Sequence, residues 1–442
     1  MREKIGFISL GCPKNQVDSE MMLKKLSDAG FEIIDTAVGA DVVIINTCGF
    51  IEEAKKEAIE NILEMAQLKE DGEVGKIIVI GCMAQRYQEE IRKEMPEVDA
   101  VAGIGINGDI VKFVEDVLAG ENKEEFPPKT ALPLEGGRIL TTPEYWAYLK
   151  ISDGCSNCCT YCAIPMIRGP FRSRPMESIV NEAKTLAAGG VKELIVIAQD
   201  TTRYGLDIYG ELKLPALLKE LVQVEGIEWI RLLYCYPDRL TDELLEVMRD
   251  HKKILHYIDL PLQHADGRIL KAMNRSGDKE SLLAVIKKIR SYMPDCIIRT
   301  TFITGFPGED EEAFNTLSEF VEEARFDRLG CFAYSPEEGT KAAEMEDQVE
   351  RDVAQHRGEI IMEQQYDIFE DKQRDLIGTV QRCVVESYDG YTDSYTGRTW
   401  MDAPEIDSTI CFISRRDLNE GDFVNVEITD TNEYDLIGEV TD

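Results

Sequence analysis

Three cysteines in one short stretch of the chain have the spacing of an iron–sulfur site. Cys155, Cys159 and Cys162 stand as CxxxCxxC in the segment YLKISDGCSNCCTYCAIPMIRGPFR. Three thiolates from a single loop can bind three irons of a cubane cluster and leave the fourth iron without a protein ligand. An open coordination position is typical of metal centres that perform chemistry rather than of structural ones. The spacing therefore predicts a reactive 4Fe-4S cluster on this loop.

A zinc knuckle is the alternative for the same loop. Such sites need four ligands and usually pair CxxC with a second CxxC or with histidines. The nearest histidine in the sequence is His251, so the spacing favours iron and sulfur. Cys158 is out of register with the three cysteines, and we expect it not to be a ligand.

A second set of three cysteines lies in the first third of the chain. Residues 4–120 alternate short apolar runs with helical patterns at 17–29, 51–68 and 88–94, which predicts a parallel sheet covered by helices on both faces. Three of the predicted strands end in Cys12, Cys48 and Cys82. Each alone fits a buried structural cysteine. Because ligands bind at the carboxyl ends of parallel strands, we expect the three together to converge on one site.

The middle of the chain, from 146 to about 336, contains six strand–helix repeats. They predict a partial β/α barrel with its active site at the carboxyl ends of the strands. Polar residues at these ends either line a pocket or serve as turn and cap residues: Gln199, Asp200, Gln263, His264, Thr304 and Gly305. We assign His264 no catalytic role. The glycine-rich segment TGFPGED lacks the spacing and the lysine of a P-loop.

Two further segments have a distinct composition. Arg168, Arg172 and Arg174 form either a basic patch for a carboxylate or a solvated surface.

Residues 344–374 predict one long polar connecting helix, and 378–442 predict a small five-stranded barrel of the OB type. From Asp371 to Asp442 there are 6 Lys and Arg against 17 Asp and Glu, a net charge of −11. Such a module repels nucleic-acid phosphates and attracts a basic protein.

The whole chain has 442 residues, which suggests two to three domains, and a net charge of −35. That charge favours either a basic partner or solubility alone. Twelve cysteines indicate metal or redox sites rather than disulfides in an intracellular protein. No apolar run is long enough to span a membrane, and we expect a cytoplasmic protein.

The six cysteines in this arrangement resemble those of the radical S-adenosylmethionine (SAM) methylthiotransferases. The resemblance implies that Cys155, Cys159 and Cys162 bind the 4Fe-4S cluster that cleaves SAM to an adenosyl radical. It implies that Cys12, Cys48 and Cys82 bind an auxiliary 4Fe-4S cluster that delivers sulfur to an unactivated carbon. Gln199, Thr304 and Gly305 would then line the SAM pocket. The implied domains are a methylthiotransferase domain at 1–125, a radical SAM core at 141–372 and a TRAM domain at 375–442. An electron donor such as flavodoxin or ferredoxin is also implied.

Two substrate classes exist in this family. GCPKNQVDSE around Cys12 and AQDTTRYG at 198–205 resemble the subgroup that modifies the β-carbon of an aspartate in small-subunit ribosomal protein twelve. Enzymes that methylthiolate tRNA adenosines usually read GCQMN and GQNV at these places. Ribosomal proteins are basic, so the acidic chain agrees with the first subgroup and makes tRNA an unexpected partner. The alternatives are a tRNA adenosine methylthiotransferase and a two-cluster electron carrier.

Overall fold

Alternating apolar strands and amphipathic helices in the first third of the chain form a six-stranded, all-parallel sheet in the order β2-β1-β3-β4-β5-β6. The structure is a computed structural model and describes residues 2–441. The strands are β1 Lys4–Ser9, β2 Glu32–Ile34, β3 Val42–Thr47, β4 Lys76–Gly81, β5 Ala100–Ala102 and β6 Lys123–Glu125. The helices are α1 Pro13–Asp28, α2 Glu52–Glu70, α3 Cys82–Arg86, α4 Gln88–Glu94 and α5 Ile110–Leu118. Apolar clusters pack on both faces of the sheet, as its uninterrupted apolar strands require.

The second sheet is also six-stranded and parallel, and its strands follow one another in sequence order, which confirms the predicted partial barrel. Its strands are β7 Trp146–Lys150, β10 Glu193–Ile197, β11 Trp229–Leu232, β12 Ile254–Asp259, β13 Ile297–Thr304 and β14 Arg328–Ala333. A short antiparallel ribbon flanks the loop after β7: β8 Ser152–Asp153 and β9 Arg172–Ser173. The helices are α6 Ile164–Arg168, α7 Met176–Ala188, α8 Leu206–Tyr209, α9 Leu214–Leu221, α10 Asp242–Asp250, α11 Gly267–Ala272, α12 Lys279–Tyr292 and α13 Glu311–Ala324.

The long polar helix predicted at 344–374 begins later than expected and is more than a connector. Helix α14 spans Arg351–Arg374, and residues 342–344 form a separate single turn. Ile361, Ile368 and Phe369 on α14 are buried. The helix packs beside α13 and against β13 and β14. The helix therefore covers the open edge of the partial barrel.

Residues 380–440 form the predicted five-stranded barrel, which closes in the order β15-β16-β17-β19-β18. Its strands are β15 Val380–Asp389, β16 Ser394–Thr399, β17 Ile410–Ile413, β18 Phe423–Asn432 and β19 Asp435–Val440. The barrel docks firmly on the amino ends of the strands of the second sheet. Trp229 at the start of β11 meets the ring of Phe423 edge-on at 4.6 Å between centroids. The buried Arg398 and Arg231 both bind Glu193, at 2.7 and 2.9 Å.

The predicted domain boundaries at 125, 141, 372 and 375 stay predictions. The segment between the first two sheets packs against both of them. Leu132 shares an apolar cluster with Cys82 and Ile167. Arg138 forms ion pairs with Glu20 of α1 and Glu182 of α7. No helix among residues 2–441 is long and apolar enough to cross a membrane.

Candidate functional site

Cys12, Cys48 and Cys82 stand at the carboxyl ends of three neighbouring strands, β1, β3 and β4. The loops that carry them touch one another through glycines. A Cβ atom on Gly11 would lie 2.7 Å from Cβ of Cys48, and one on Gly49 would lie 2.7 Å from Cα of Met83. Such distances are too short for any side chain, so glycine at both positions lets the three loops meet. The structure thus brings the first predicted set together at one edge of the sheet.

The first set lies in largely buried surroundings at the amino end of a helix. Burial raises the pKa of Cys48 to about 11 and that of Cys82 to about 12. Both thiols therefore keep their protons near neutral pH until a metal displaces them. Cys12 immediately precedes α1, whose first residue is Pro13. The amino end of a helix carries a partial positive charge, which stabilises a thiolate or an anionic cluster.

Cys155, Cys159 and Cys162 lie on the loop between β8 and α6. The Cys155 N–H donates to the Gly169 carbonyl at 3.1 Å, and the Cys162 N–H donates to the Cys159 carbonyl at 3.1 Å. These bonds fold the loop back on itself. Burial raises the pKa of Cys155 to about 11 and that of Cys162 to about 12. Cys158 is exposed and has a φ of +52°, and its predicted exclusion from the ligand set stays a prediction.

Within residues 2–441, no group of three or more His, Cys, Asp and Glu side chains could hold a single metal ion. The ligands of a cubane cluster differ from those of such a site, because each thiolate binds a different iron. The six cysteines therefore remain candidates for clusters.

Two side chains that the sequence did not single out surround Cys159. The Tyr236 hydroxyl lies 3.6 Å from Cys159 Sγ, and Arg275 Nη1 lies 3.9 Å from it. The Arg275 guanidinium also lies over the Tyr236 ring, 4.2 Å from its centroid. Tyr236 follows β11, where a polar strand end could have indicated it. Arg275 follows α11 and has no local sequence signal.

The three arginines after the second cysteine set are neither a basic patch nor a solvated surface, so both sequence interpretations are wrong. Arg168 and Arg174 are almost fully buried. Arg174 donates to the Lys150 carbonyl at 2.7 Å and pairs with Glu182 at 2.6 Å. Arg172 donates to the carbonyls of three residues on the connecting segment, namely Lys129, Thr130 and Leu132. All three hold loops in place.

Arg168 joins the two cysteine sets. Its Nη1 lies 2.9 Å from Asp18 of α1 and 2.8 Å from Asp153, next to the second set. Its Nη2 lies 3.7 Å from the sulfur of Cys82. Lys150 completes the network by pairing with both carboxylates. Burial alone would raise the pKa of Asp153, but the neighbouring Arg168 and Lys150 lower it to about 2. The first two domains are thus locked together by buried charges between the two sites.

The predicted SAM-pocket residues fall in different environments. Gln199 follows β10, and its buried Oε1 atom has no hydrogen-bond partner among the described residues. The Thr304 hydroxyl donates to the Ala354 carbonyl of α14 at 2.9 Å. Gly305 lies against the same residue, where a Cβ atom would clash with Ala354. The unpartnered Oε1 atom of Gln199 fits a ligand site, whereas Thr304 and Gly305 contact helix α14. The role of these three residues in binding SAM stays a prediction.

The other polar strand ends organise the loops. Asp200 accepts hydrogen bonds from Asn157 of the cysteine loop at 2.8 Å and from Arg239 at 2.8 Å. Gln263 has a φ of +74°, and its N–H donates to the Thr301 carbonyl at 2.8 Å.

The fully buried His264 lies 3.1 Å from Glu309 through its Nε2 atom. Its Nδ1 atom accepts the Asp266 N–H at 3.0 Å, so Nε2 carries the proton and donates to Glu309. Glu309 also accepts from Arg357 of α14 at 2.8 Å. His264 therefore belongs to a buried hydrogen-bond network, and its lack of a catalytic role stays a prediction.

Lys14, on the first turn of α1, is the remaining feature that the sequence did not predict. It is buried, and its Nζ lies 2.9 Å from the centroid of the Tyr234 ring, which follows β11. Burial lowers the pKa of Lys14 to about 8. The Lys14 ammonium thus reaches from the first cysteine domain to the carboxyl end of the partial barrel.

Comparison with known proteins decides the family. Curated relatives named ribosomal protein uS12 methylthiotransferase RimO match the chain from end to end. That of Desulforamulus reducens is 50% identical over 439 residues, with 99% of each chain covered. That of Clostridioides difficile is 47% identical over 443 residues, with 99% of this chain and 98% of the relative covered. The chain belongs to the RimO family.

Three family models agree with this assignment. Residues 4–103 match the Uncharacterized protein family UPF0004, residues 149–321 the Radical SAM superfamily and residues 377–441 the TRAM domain. Among solved structures, TsrM, a radical S-adenosylmethionine methyltransferase from Kitasatospora setae, superposes with a TM-score of 0.58 at 14% identity, over 78% of this chain and 77% of its own. OxsB, a cobalamin-dependent S-adenosylmethionine radical enzyme, gives 0.53 at 14% identity, over 83% of this chain and 58% of its own. At such low identity these two show that the fold is shared.

Proposed function

We propose that this radical SAM methylthiotransferase adds a methylthio group to the β-carbon of an aspartate in ribosomal protein uS12. Two 4Fe-4S clusters and SAM would be its cofactors. The observation that carries the proposal is the arrangement of two three-cysteine sites on adjoining domains, with Arg168 of the second site 3.7 Å from Cys82 of the first. Sulfur transfer to a carbon radical requires both sites to face one substrate, because reacting atoms must come within about 3–3.5 Å.

The residues fit the proposed cofactors. Each site offers three thiols, which are the ligands that iron–sulfur clusters prefer. Cys12, Cys48 and Cys82 would hold the auxiliary cluster, and Cys155, Cys159 and Cys162 the SAM-binding one. The unpartnered Oε1 atom of Gln199 fits a pocket for a polar ligand such as SAM. When bound, the two clusters and SAM would supply the electron, the radical and the sulfur.

The protein's own side chains orient the two cysteine sites. Asp200 fixes the cysteine loop through Asn157, while Tyr236 and Arg275 lie beside Cys159. The buried network of Arg168, Lys150, Asp18 and Asp153 fixes the distance between the two sites. A small electron donor such as flavodoxin or ferredoxin is proposed as a further partner.

The charge of the chain supports a protein substrate over tRNA. The net charge is −35, and the terminal barrel carries exposed acidic side chains that form no ion pair among residues 2–441, among them Asp417, Glu420, Glu427, Asp430 and Glu433. TRAM modules that bind RNA would need a basic surface to neutralise phosphates. A basic ribosomal protein is the complementary partner.

A competition experiment tests this proposal. The reconstituted protein would be incubated without oxygen with SAM, dithionite, uS12 and bulk tRNA, and both substrates would be analysed by mass spectrometry. We expect the methylthio group on uS12 and 5′-deoxyadenosine in solution. Modification of tRNA alone would overturn the substrate, and an electron carrier would form no 5′-deoxyadenosine.

A further inference from the structure

Helix α2 has one face on the first sheet and the other face in solvent. Ala58 and Ile62 are buried in the apolar cluster on the sheet. The helix begins four residues after Cys48, and Lys55 near its start lies 3.3 Å from Glu337, which follows β14. The exposed face of α2 therefore begins beside the first cysteine set, at the boundary with the partial barrel.

Four glutamates form a stripe along this exposed face. They follow one another at intervals of four, three and four residues, a spacing that aligns side chains on a helix: Glu53, Glu57, Glu60 and Glu64. None of the four lies within 4.0 Å of a lysine, arginine or histidine nitrogen among residues 2–441. Lys56, an exposed cation of the same helix, likewise pairs with no carboxylate of the described chain. Neighbouring like charges destabilise a helix, so the stripe does not serve the stability of α2.

Exposed apolar side chains accompany the acidic stripe. Large side chains that remain 37–54% exposed lie along the same segment: Phe50, Ile51, Ile59 and Leu63. Ile59 and Leu63 are four residues apart, so they are neighbours on the helix surface beside the glutamates. Solubility would be served by the glutamates alone. Apolar side chains bordered by charge are typical of surfaces that bind another protein.

We propose that the exposed face of α2, with its four glutamates and the apolar pair Ile59 and Leu63, docks the basic surface of uS12 that surrounds the target aspartate. This inference rests on the proposed function and names the surface that holds its substrate. From Glu53 to Glu64 the stripe is about 16 Å long at about 1.5 Å per residue, which matches about five residues of extended chain. Basic side chains of the ribosomal protein would pair with the glutamates, and the apolar pair would exclude water from the contact. The same stripe would repel tRNA and an acidic electron carrier.

The first test compares two charge-matched variants of the full-length, reconstituted enzyme. One changes Glu57, Glu60 and Glu64 to Gln, and the other changes three exposed acids of α14 to Gln or Asn: Glu359, Glu363 and Asp367. Both remove three negative charges, so any general effect of net charge is the same in the two. We expect the α2 variant to bind uS12 about tenfold more weakly than the wild type at low salt, and the α14 variant to stay within about twofold. Equal affinities of the two variants for uS12 would overturn the inference.

A further variant addresses the apolar pair. Ile59→Ser combined with Leu63→Ser removes apolar contact area but no charge. Its weaker binding of uS12 should therefore persist at high salt, where the glutamine variant and the wild type should converge. An affinity equal to that of the wild type would contradict the proposed contact.

A measurement on the wild type keeps the inference decidable if a variant fails to fold. Carbodiimide labelling with an added amine modifies exposed carboxylates, and mass spectrometry locates them. We expect bound uS12 to slow the labelling of Glu57, Glu60 and Glu64 and to leave that of Glu363 and Asp367 unchanged. Equal labelling of α2 with and without uS12 would show that the helix does not dock it.

The remaining outcomes separate this inference from the proposed function. If uS12 is methylthiolated and the α2 glutamine variant binds it normally, only the docking surface is wrong. Normal binding of uS12 together with slower reduction by flavodoxin would assign the surface to the electron donor, and loss of self-association would assign it to a second copy of the chain; either result overturns the inference. If uS12 is never methylthiolated, the proposed function fails.

Discussion

Arg168 and Cys82 meet across the boundary between the first two domains, with Nη2 of the arginine 3.7 Å from the sulfur. Arg168 belongs to the helix that follows one cysteine set, and Cys82 is a member of the other. A single buried cation therefore links Cys82 of the first site to Asp153, two residues before Cys155 of the second. We infer that the two sites form one electrostatic unit whose separation is set by the fold.

Replacing Arg168 by Met should destabilise the protein strongly. Asp18 and Asp153 would then share only Lys150, and breaking a buried ion pair costs about 3–5 kcal/mol. We expect a lower thermal midpoint by calorimetry and faster hydrogen exchange in α1 and α6. Lys213→Met, in a half-exposed pair with Glu211, is the control and should change the midpoint little. An unaltered midpoint in Arg168→Met would contradict the account.

Replacing Cys155, Cys159 and Cys162 together by Ala should remove one cluster and abolish SAM cleavage. One loop supplies all three thiols, so the iron content should fall from about eight to about four per chain. Iron analysis and 5′-deoxyadenosine formation check this. Cys158→Ala, which changes an exposed cysteine of the same loop, should keep the iron content and the 5′-deoxyadenosine formation of the wild type. Unchanged iron in the triple variant would refute the ligand assignment.

Replacing Cys12, Cys48 or Cys82 by Ala should separate the two halves of the reaction. Their site lies on the first domain, whereas SAM cleavage belongs to the second, so 5′-deoxyadenosine should still form while methylthiolation of uS12 stops. Cys411→Ala, which changes an exposed cysteine of the terminal barrel, serves as the control. A variant at any of the three positions that modified uS12 at the normal rate would remove that cysteine from the proposed site.

Neutralising the exposed acids of the terminal barrel should slow the capture of uS12. Asp402 and Asp407 are unsuitable for this test, because they pair with Arg328 and with Tyr257 inside the protein. The variant should instead change five of the exposed acids to Asn or Gln: Asp417, Glu420, Glu427, Asp430 and Glu433.

Charges at the edge of an interface mainly set the association rate. Stopped-flow measurements should therefore show that the neutralised variant binds uS12 more slowly than the wild type at low salt. The difference should vanish at high salt, where the screening length falls from about 10 Å at 0.1 M to about 3 Å at 1 M. SAM cleavage should not change. Faster association of the neutralised variant with uS12 would exclude electrostatic steering by this barrel.

Periodicity in the sequence was enough to predict the three-part fold, because each strand and helix carries its own apolar pattern. Helix α4 has the predicted bounds, 88–94. The three short strands β2, β5 and β6 were missed, since three residues are too few to display an alternation. The convergence of Cys12, Cys48 and Cys82 was predictable because strand ends in a parallel sheet share one edge.

The side chains between the sites were not predictable, since their partners are remote in sequence. Asp18, which pairs with the buried Arg168, lies about 150 residues earlier, so the local sequence around the arginine does not indicate that it is buried. Thr304 is satisfied by Ala354 on a helix that the sequence presented only as a connector. Lys14 looked like one more polar residue of α1 until the barrel placed Tyr234 beneath it.

The most direct test of the central claim is the intact mass of uS12 from cells with and without this gene. The account predicts that uS12 from cells with the gene is heavier by one SCH₂ group, that fragmentation places the group on an aspartate, and that the gene's Cys12→Ala form does not restore it. Identical uS12 masses in both strains, with the missing methylthio group found on a tRNA adenosine instead, would contradict the account.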